Sequence, residues 1–224
     1  MLSIVSTPIG NHDDITLRAL RVLREASAII CEERRQGARL LTKYQLQKEL
    51  IELNEHTERD VTPELLTRLK RGESMAIISD HGTPLLADPG GRLVNQAIAQ
   101  NVSVAAVPGA SALLAALVVS GLPMQRFRFV GFFSAKREAR QAELARLRNE
   151  PETWVTFDAP YRLNALLADL RATVEPSRKM VVACDLTMPS EKIVRGTVAQ
   201  VAEHFEKNRF KGEFVLVVEG KARL

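Results

Sequence analysis

With 224 residues, 46% of them apolar, the chain is long enough for one large or two modest folded domains and too apolar to be disordered. Its longest unbroken apolar run, Ala112 to Val119, is far shorter than the ~20 residues a spanning helix requires, and no basic segment followed by an apolar one opens the chain. The sequence therefore predicts a soluble cytoplasmic protein, and its 31 basic against 27 acidic side chains, a net charge of +4, exclude little by themselves.

In chain order, the first 120 residues alternate β-branched runs with amphipathic segments, the pattern of βα units around a mostly parallel sheet. Leu2 to Ser6 reads as a strand, after which Asp13 and Asp14 cap a helix carrying Ile15, Leu17, Leu20, Val22 and Leu23. Ser27 to Cys31 and Leu50 to Leu53 read as strands with a helix over Gln36 to Tyr44 between them. Thr62-Pro63-Glu64 starts a helix to Leu69, with Gly72 just beyond its end. Met75 to Ser79 is a buried strand, Leu93 to Gln100 a helix, Val102 to Val107 a strand, and Ala110 to Ser120 a nearly all-apolar helix expected to be buried. Gly121-Leu122-Pro123 breaks this cadence and sets the expected domain boundary, giving domains over 1–123 and 124–224. Beyond it, Phe127 to Phe133, Thr153 to Phe157, Lys179 to Cys184, Ile193 to Gly196 and Glu213 to Val218 read as strands. Helices fall at Lys136 to Arg148, Tyr161 to Leu170 and Val198 to Phe205, and a short connection between two of the strands predicts a mixed sheet. The fold class is thus two α/β domains.

Three loops gather small residues behind strands: Thr7-Pro-Ile-Gly-Asn11, Ser79-Asp-His-Gly-Thr-Pro-Leu-Leu-Ala-Asp-Pro-Gly-Gly91, and Val107-Pro-Gly-Ala-Ser-Ala112. Gly and Pro there let the main chain approach a ligand closely. Each alone is an ordinary βα turn; three on one sheet edge describe a crevice of the kind in which open α/β sheets bind ligands. Neither a phosphate-cradling Gly-x-x-x-x-Gly-Lys-Ser/Thr run, nor a Gly-x-Gly-x-x-Gly after a strand, nor a Gly-x-Ser-x-Gly elbow is present. Cys31 and Cys184 each end a β-branched run, as buried thiols do, and no Cys or His spacing suits a metal. Seven basic residues between Arg126 and Arg148, against Glu138 and Glu143, make a polyanion partner plausible beside the blander reading of a solvated helix face.

The series Thr7-Pro-Ile-Gly-Asn-His-Asp-Asp-Ile-Thr-Leu-Arg-Ala-Leu, Ser79-Asp-His-Gly-Thr-Pro with Asp88-Pro-Gly, Pro108-Gly-Ala-Ser-Ala, Ser120-Gly-Leu-Pro, Val194-Arg-Gly-Thr and Lys211-Gly-Glu-Phe-Val-Leu-Val-Val-Glu-Gly resembles the tetrapyrrole-methylase-fold (class III) methyltransferases. Within them it is most similar to the ribosomal small-subunit RNA (cytidine-2′-O)-methyltransferase subfamily, from Leu2 to Gly220. The resemblance implies a homodimer that binds S-adenosylmethionine between its two domains. Contacts would come from Gly82, Thr83 and Leu86, from Ser111 and Ala112, and from Phe157, Leu186 and Gly212. It also implies an RNA substrate. A ribose hydroxyl is a poor nucleophile that gains from a base, for which Glu32, Glu33 and Asp80 are candidates, with Arg35 and Asn11 placed to hold a phosphate or a nucleobase. The bland alternative for the Glu-Arg cluster is a surface ion pair.

The chain departs from that subfamily where it matters for the acceptor. Glu32-Glu33-Arg34-Arg35 replaces Glu-Asp-Thr-Arg; His81 and Leu85 replace Ala and Gly; Asp158-Ala159-Pro160-Tyr161-Arg162 replaces Glu-Ser-Pro-His-Arg; Cys184-Asp185-Leu186-Thr187-Met188 replaces Arg-Glu-Leu-Thr-Lys. The sequence also stops at Leu224, where RNA-modifying relatives are expected to continue into a small helical region. Three readings stay open on the residues: an RNA 2′-O-methyltransferase, a methyltransferase of the same fold acting on a small molecule or another nucleic acid, and a cofactor-binding paralogue without turnover.

Overall fold

The computed structural model describes residues 1–221 as two compact units, which their contacts divide between Ser111 and Ala112. The first is a five-stranded, wholly parallel sheet built from β1 (Leu2–Val5), β2 (Ala28–Cys31), β3 (Glu49–Glu52), β4 (Met75–Ile78) and β5 (Val104–Val107), in the spatial order β3-β2-β4-β1-β5. Alternation fixes what each face covers. Ala28, Ile30, Met75 and Ile77 pack with α3 (Glu58–Lys70) and α4 (Gly91–Ala99), while Ile29, Cys31, Ala76 and Ile78 pack with α1 (Leu17–Glu25) and α2 (Arg34–Lys43).

This order places the site. β1 and β4 are hydrogen-bonded neighbours, yet the chain leaves β1 for a helix on one face and leaves β4 for a helix on the other. Their outgoing loops part at the carboxyl edge, the topological switch point at which doubly wound sheets hold ligands.

Two helix starts differ from the sequence reading. Asp13 and Asp14 lie in a short 3-10 turn, and the side chain that caps α1 is Thr16, whose hydroxyl accepts from the Ala19 N–H at 3.0 Å. Likewise α3 begins at Glu58, before Pro63, because Asn54 Oδ1 accepts the N–H groups of His56 and Thr57, each at 3.0 Å, and so opens the helix a turn early. Pro63 then sits inside, close enough to the start that few backbone bonds are lost.

The second unit carries a mixed sheet, β6 (Phe127–Phe132), β7 (Thr153–Phe157), β10 (Phe214–Val218), β8 (Lys179–Cys184) and β9 (Lys192–Thr197) in spatial order, with β6 and β7 parallel and the rest antiparallel. Trp154, Met180, Val182, Cys184, Leu216 and Val218 face α6 (Arg137–Leu147), α7 (Leu163–Thr173) and α8 (Val198–Lys207). Their sequence neighbours Val181, Ala183, Val215 and Val217 point the other way and are buried as well. Contacts with β10, β8 and β9 place α5 (Ala112–Ser120) in this unit, whereas the sequence cadence groups it with the first. A helix apolar all round suits a sheet that needs cover on both faces. It is not buried on every side, however: Leu114 and Val118 remain 53% and 63% exposed. Both thiols are buried, and burial pushes Cys31 up to about 11 and Cys184 up to about 12, which keeps them protonated. Among the described residues no helix is long and apolar enough to cross a membrane.

Candidate active site

In the first unit the three small-residue loops are bound into one body by the hydroxyls that follow β1. Thr7, 1% exposed, donates its hydroxyl to the Ser79 carbonyl at 3.0 Å and accepts the Gly82 N–H at 3.2 Å, while its own N–H donates to the Gly82 carbonyl at 2.8 Å. Ser6 donates its N–H to the Val107 carbonyl at 3.1 Å, and its hydroxyl lies 3.1 Å from that of Thr83, which donates in turn to the Ala110 carbonyl at 3.0 Å. The loop after β4 is thereby held to the loop after β1, and both to the loop after β5. Gly109 permits this closeness, since a Cβ there would stand 2.9 Å from the Ser6 Cβ. At its exit the long loop is fixed by Glu58, whose carboxylate accepts the Gly90 N–H at 3.0 Å and the Arg92 N–H at 2.8 Å at the start of α4.

Of the expected cofactor residues in this unit, Gly82 sits at φ +87°, a conformation that favours glycine. Thr83 is exposed, Ser111 half-buried, and Leu86 stands 40% exposed at the loop tip. Leu85 takes φ +72° without a glycine's freedom, a backbone cost of order 1–3 kcal/mol.

The carboxylates gather on the same edge. Glu32 leaves β2 and Asp80 follows β4, its immediate neighbour, and the Glu33 backbone favours the charged form of Asp80. Burial first, then the charges of Asp88, Asp80, Glu55 and Glu33, push the Glu32 carboxyl above its ordinary range. Burial and the nearby Glu33 and Asp88 do the same to Asp80, against a smaller pull from His81. Asp88, which the sequence shows only as part of a Pro-Gly turn, joins them: it is raised by burial against a smaller pull from Ser79, and its Oδ2 is buried without a hydrogen-bond partner. No sequence signal marks Asp88 as facing the other two; only the pairing of β2 with β4 brings them together. Glu32 and Glu33 form no ion pair with Arg34 or Arg35 among the described residues. Arg35 is exposed in the first turn of α2, and Asn11 accepts the Asp13 N–H at 3.0 Å as the cap of the 3-10 turn.

In the second unit Ala112 opens α5, and Phe157, Leu186 and Gly212 share one edge of the sheet, where β7 and β8 end and antiparallel β10 begins. Phe157 is half-buried and meets Phe129 edge-on, ring centroids 4.9 Å apart. Leu186 is buried between Asp185 and Thr187, both in the left-handed region at φ 46° and 66°. That turn is braced by the Ser190 hydroxyl, which donates to Asp185 Oδ2 at 2.8 Å, and by the Thr187 N–H, which donates to Glu191 at 2.7 Å. Gly212 runs so close beneath it that a Cβ would fall 2.0 Å from Asp185 Oδ1. The segment Arg126 to Arg148 is partly neutralised: Arg128 pairs with Glu150, Arg137 and Arg140 with Asp169, and Arg148 with Glu175.

The residues fit S-adenosylmethionine. Within the first unit's three loops, exposed main chain and hydroxyls stand beside an apolar Leu86 and acidic Asp80 and Asp88, with no lysine or arginine, which suits a cationic sulfonium ligand without phosphates. Gly212 and Leu186 add close main chain and an apolar surface in the second.

Residues 1–202 match the family described as Tetrapyrrole (Corrin/Porphyrin) Methylases. Proteins named ribosomal RNA small subunit methyltransferase I are similar over almost the whole chain. That of Xylella fastidiosa is 44% identical over 99% of this chain and 82% of its own length, that of Pseudomonas aeruginosa 42% over 98% and 78%, and that of Thermotoga maritima 39% over 98% of both. Among solved structures, a diphthine synthase superposes with a TM-score of 0.73 at 18% identity, covering 100% of this chain and 91% of that one. A uroporphyrin-III C-methyltransferase from Thermus thermophilus, complexed with S-adenyl homocysteine, superposes with a TM-score of 0.64 at 20% identity over 97% and 96%. At these identities the structures speak for the fold alone.

Proposed function

This chain belongs to the tetrapyrrole methylase family, and on that premise we propose that it is an S-adenosylmethionine-dependent methyltransferase acting on a ribose 2′-hydroxyl of small-subunit ribosomal RNA. The observation that carries the reading is the hydrogen-bonded union of the loops after β1, β4 and β5 with half-buried carboxylates beside it, in a chain 44% identical to a protein named for ribosomal RNA methylation. The Thermotoga maritima relative, matched over 98% of its length, carries that same name without a longer chain.

In this reading Gly82, Thr83, Leu86 and Ser111 of the first unit and Ala112, Phe157, Leu186 and Gly212 of the second hold the cofactor, which supplies an electrophilic methyl carbon when bound. The chain's own work is to orient the acceptor, exclude water and take a proton. Asp80 is the proposed base. It lies two residues before Gly82, and its raised pKa makes it a stronger base than an exposed aspartate. Glu32 is the alternative base, and Arg35 and Asn11 are placed to meet the RNA. The reaction belongs in the cytoplasm with its ribosomal substrate.

The enzyme is proposed to act as a homodimer. Leu114, Val118, Phe127 and Phe132 are exposed apolar side chains of the second unit that a second copy would cover. Light scattering is expected to give twice the 24.9 kDa chain mass; a single chain mass at micromolar concentration removes the dimer.

The test of the activity uses small ribosomal subunits from a strain lacking the gene, with methyl-tritiated S-adenosylmethionine. Label is expected in the RNA, in a dinucleotide that resists alkali because its methylated 2′-oxygen no longer attacks the adjacent phosphate. Label in no RNA fraction overturns the reading.

A further inference from the structure

Beside the sheet edge that carries Phe157, Leu186 and Gly212, the second unit has a cleft of about 500 Å³, lined by Pro160, Tyr161, Leu163, Asn164, Arg209, Phe210 and Lys211, with Phe210 against Gly212. That volume is within the range of small-ligand sites. Its floor is apolar and fixed: Leu163 is buried, and Phe210 meets Phe205 edge-on with ring centroids 6.3 Å apart. Its rim is polar and unspent. Tyr161 is 86% exposed, with no ring contact or side-chain hydrogen bond among the described residues, and the same holds for the exposed Asn164 amide. Arg209 and Lys211 likewise have no ion pair or side-chain hydrogen bond among the described residues.

Those two cations contrast with their surroundings. Close by in the same unit, Arg171 is paired with Glu206, Lys207 with Glu203, and Arg162 with Asp158. Two unpaired cations that flank one cleft are placed to meet an outside anion together. The rest of the rim fits what an anion on a planar ring requires: Tyr161 gives a free aromatic face and Asn164 a free donor and acceptor. The turn that lines the cleft is also bonded to the basic segment. The Arg162 guanidinium donates to the carbonyls of Phe133 at 2.9 Å and Ser134 at 2.7 Å, which ties the turn bearing Tyr161 to the loop bearing exposed, unpaired Lys136.

We propose that this cleft is a nucleotide-binding site for single-stranded RNA, in which a nucleobase stacks on Tyr161 and is read by Asn164 while Arg209 and Lys211 hold the flanking phosphates. This rests on the RNA-methylation reading and extends it, by giving the substrate a second point of attachment that takes no part in the chemistry. Stacking on an aromatic tolerates any base, so the cleft supplies affinity and selects unpaired strands over duplex.

The test is fluorescence anisotropy with a ten-nucleotide, end-labelled single-stranded RNA and the same RNA annealed to its complement, beside calorimetry with S-adenosylmethionine. Tyr161→Ala is expected to raise the Kd for the single strand about tenfold, and Tyr161→Phe to restore it. Arg209→Ala with Lys211→Ala is expected to flatten the dependence of log Kd on log salt by about 1.4, at 0.7 per phosphate released from a single strand. Lys70→Ala with Arg71→Ala, which removes equal charge at the end of α3, leaves the single-strand Kd unchanged. Cofactor affinity stays at the wild-type value throughout. Wild-type RNA affinity in both cleft variants, or equal losses in the Lys70 and Arg71 control, overturns the site and leaves methyl transfer standing. If the wild type labels no RNA while Tyr161→Ala still loses the single strand, the cleft stands and the substrate reading falls.

Discussion

Asp80→Asn is expected to lower kcat for methyl transfer about 10²–10⁴-fold while raising Tm at neutral pH. The loss follows from the proposed role, since an amide of the same shape fills the same space but cannot take the ribose proton, and general bases contribute that range. The gain follows from the cluster. Glu32, Asp80 and Asp88 are all raised by burial, and other nearby carboxylates push the first two further, so the folded chain holds their protons more tightly than the unfolded one. A carboxyl raised in the folded state makes stability fall as pH climbs from about 4, its unfolded value, through the raised one. Removing one carboxylate removes its share of that fall. The Tm difference between variant and wild type should therefore vanish below about pH 4 and be complete at neutral pH. The wild-type rate should drop as pH falls through the raised pKa of the base, above the ordinary carboxylate range, and Glu32→Gln measured beside it decides between the two candidates. Full activity of Asp80→Asn together with a large loss in Glu32→Gln would move the base to Glu32. Full activity in both would remove the carboxylates from the chemistry altogether.

This opposition between activity and stability also explains which parts of the molecule are legible in sequence. Strands such as Ala28–Cys31, Met75–Ile78 and Phe214–Val218 announce themselves because a strand buried on both faces must be continuously apolar and β-branched. The loops announce themselves by Gly and Pro, and Gly82 at φ +87° and Gly109 against Ser6 supply the physical reason. Less is legible wherever a single polar atom decides. Thr16 and Asn54 set helix starts that the acidic pair Asp13-Asp14 and the Thr62-Pro63 dipeptide suggested elsewhere, because several residues in each stretch could cap and only the fold selects one. α5 looked like a core helix of the first domain because composition cannot tell which sheet a wholly apolar helix covers. Asp88 and the hydroxyl of Thr7 were silent because their partners lie across strand crossovers, which sequence spacing does not encode.

Thr7→Val puts that last point to the test. Valine keeps the volume of a side chain 1% exposed but has no hydroxyl, so the Gly82 N–H loses its acceptor and the Ser79 carbonyl its donor, both inside a buried junction. Leaving one such group unpaired costs about 1–3 kcal/mol. The junction holds the loop after β4 in place, so the cost is expected to appear as a rise of about 5- to 150-fold in the Kd for S-adenosylmethionine, measured by calorimetry. Thr7→Ser, which restores the hydroxyl, should bring the affinity most of the way back. Gly109→Ala strains the same junction from its other side by driving a methyl to 2.9 Å from the Ser6 Cβ and 3.3 Å from the Ser6 carbonyl oxygen, and crowding of this kind costs about 1–3 kcal/mol. Because both variants disturb Ser6-Thr7, their combined effect should fall short of the sum of the two. A Kd within twofold of wild type in Thr7→Val would show that the cofactor is held elsewhere, and would withdraw Gly82 and Thr83 from its binding site.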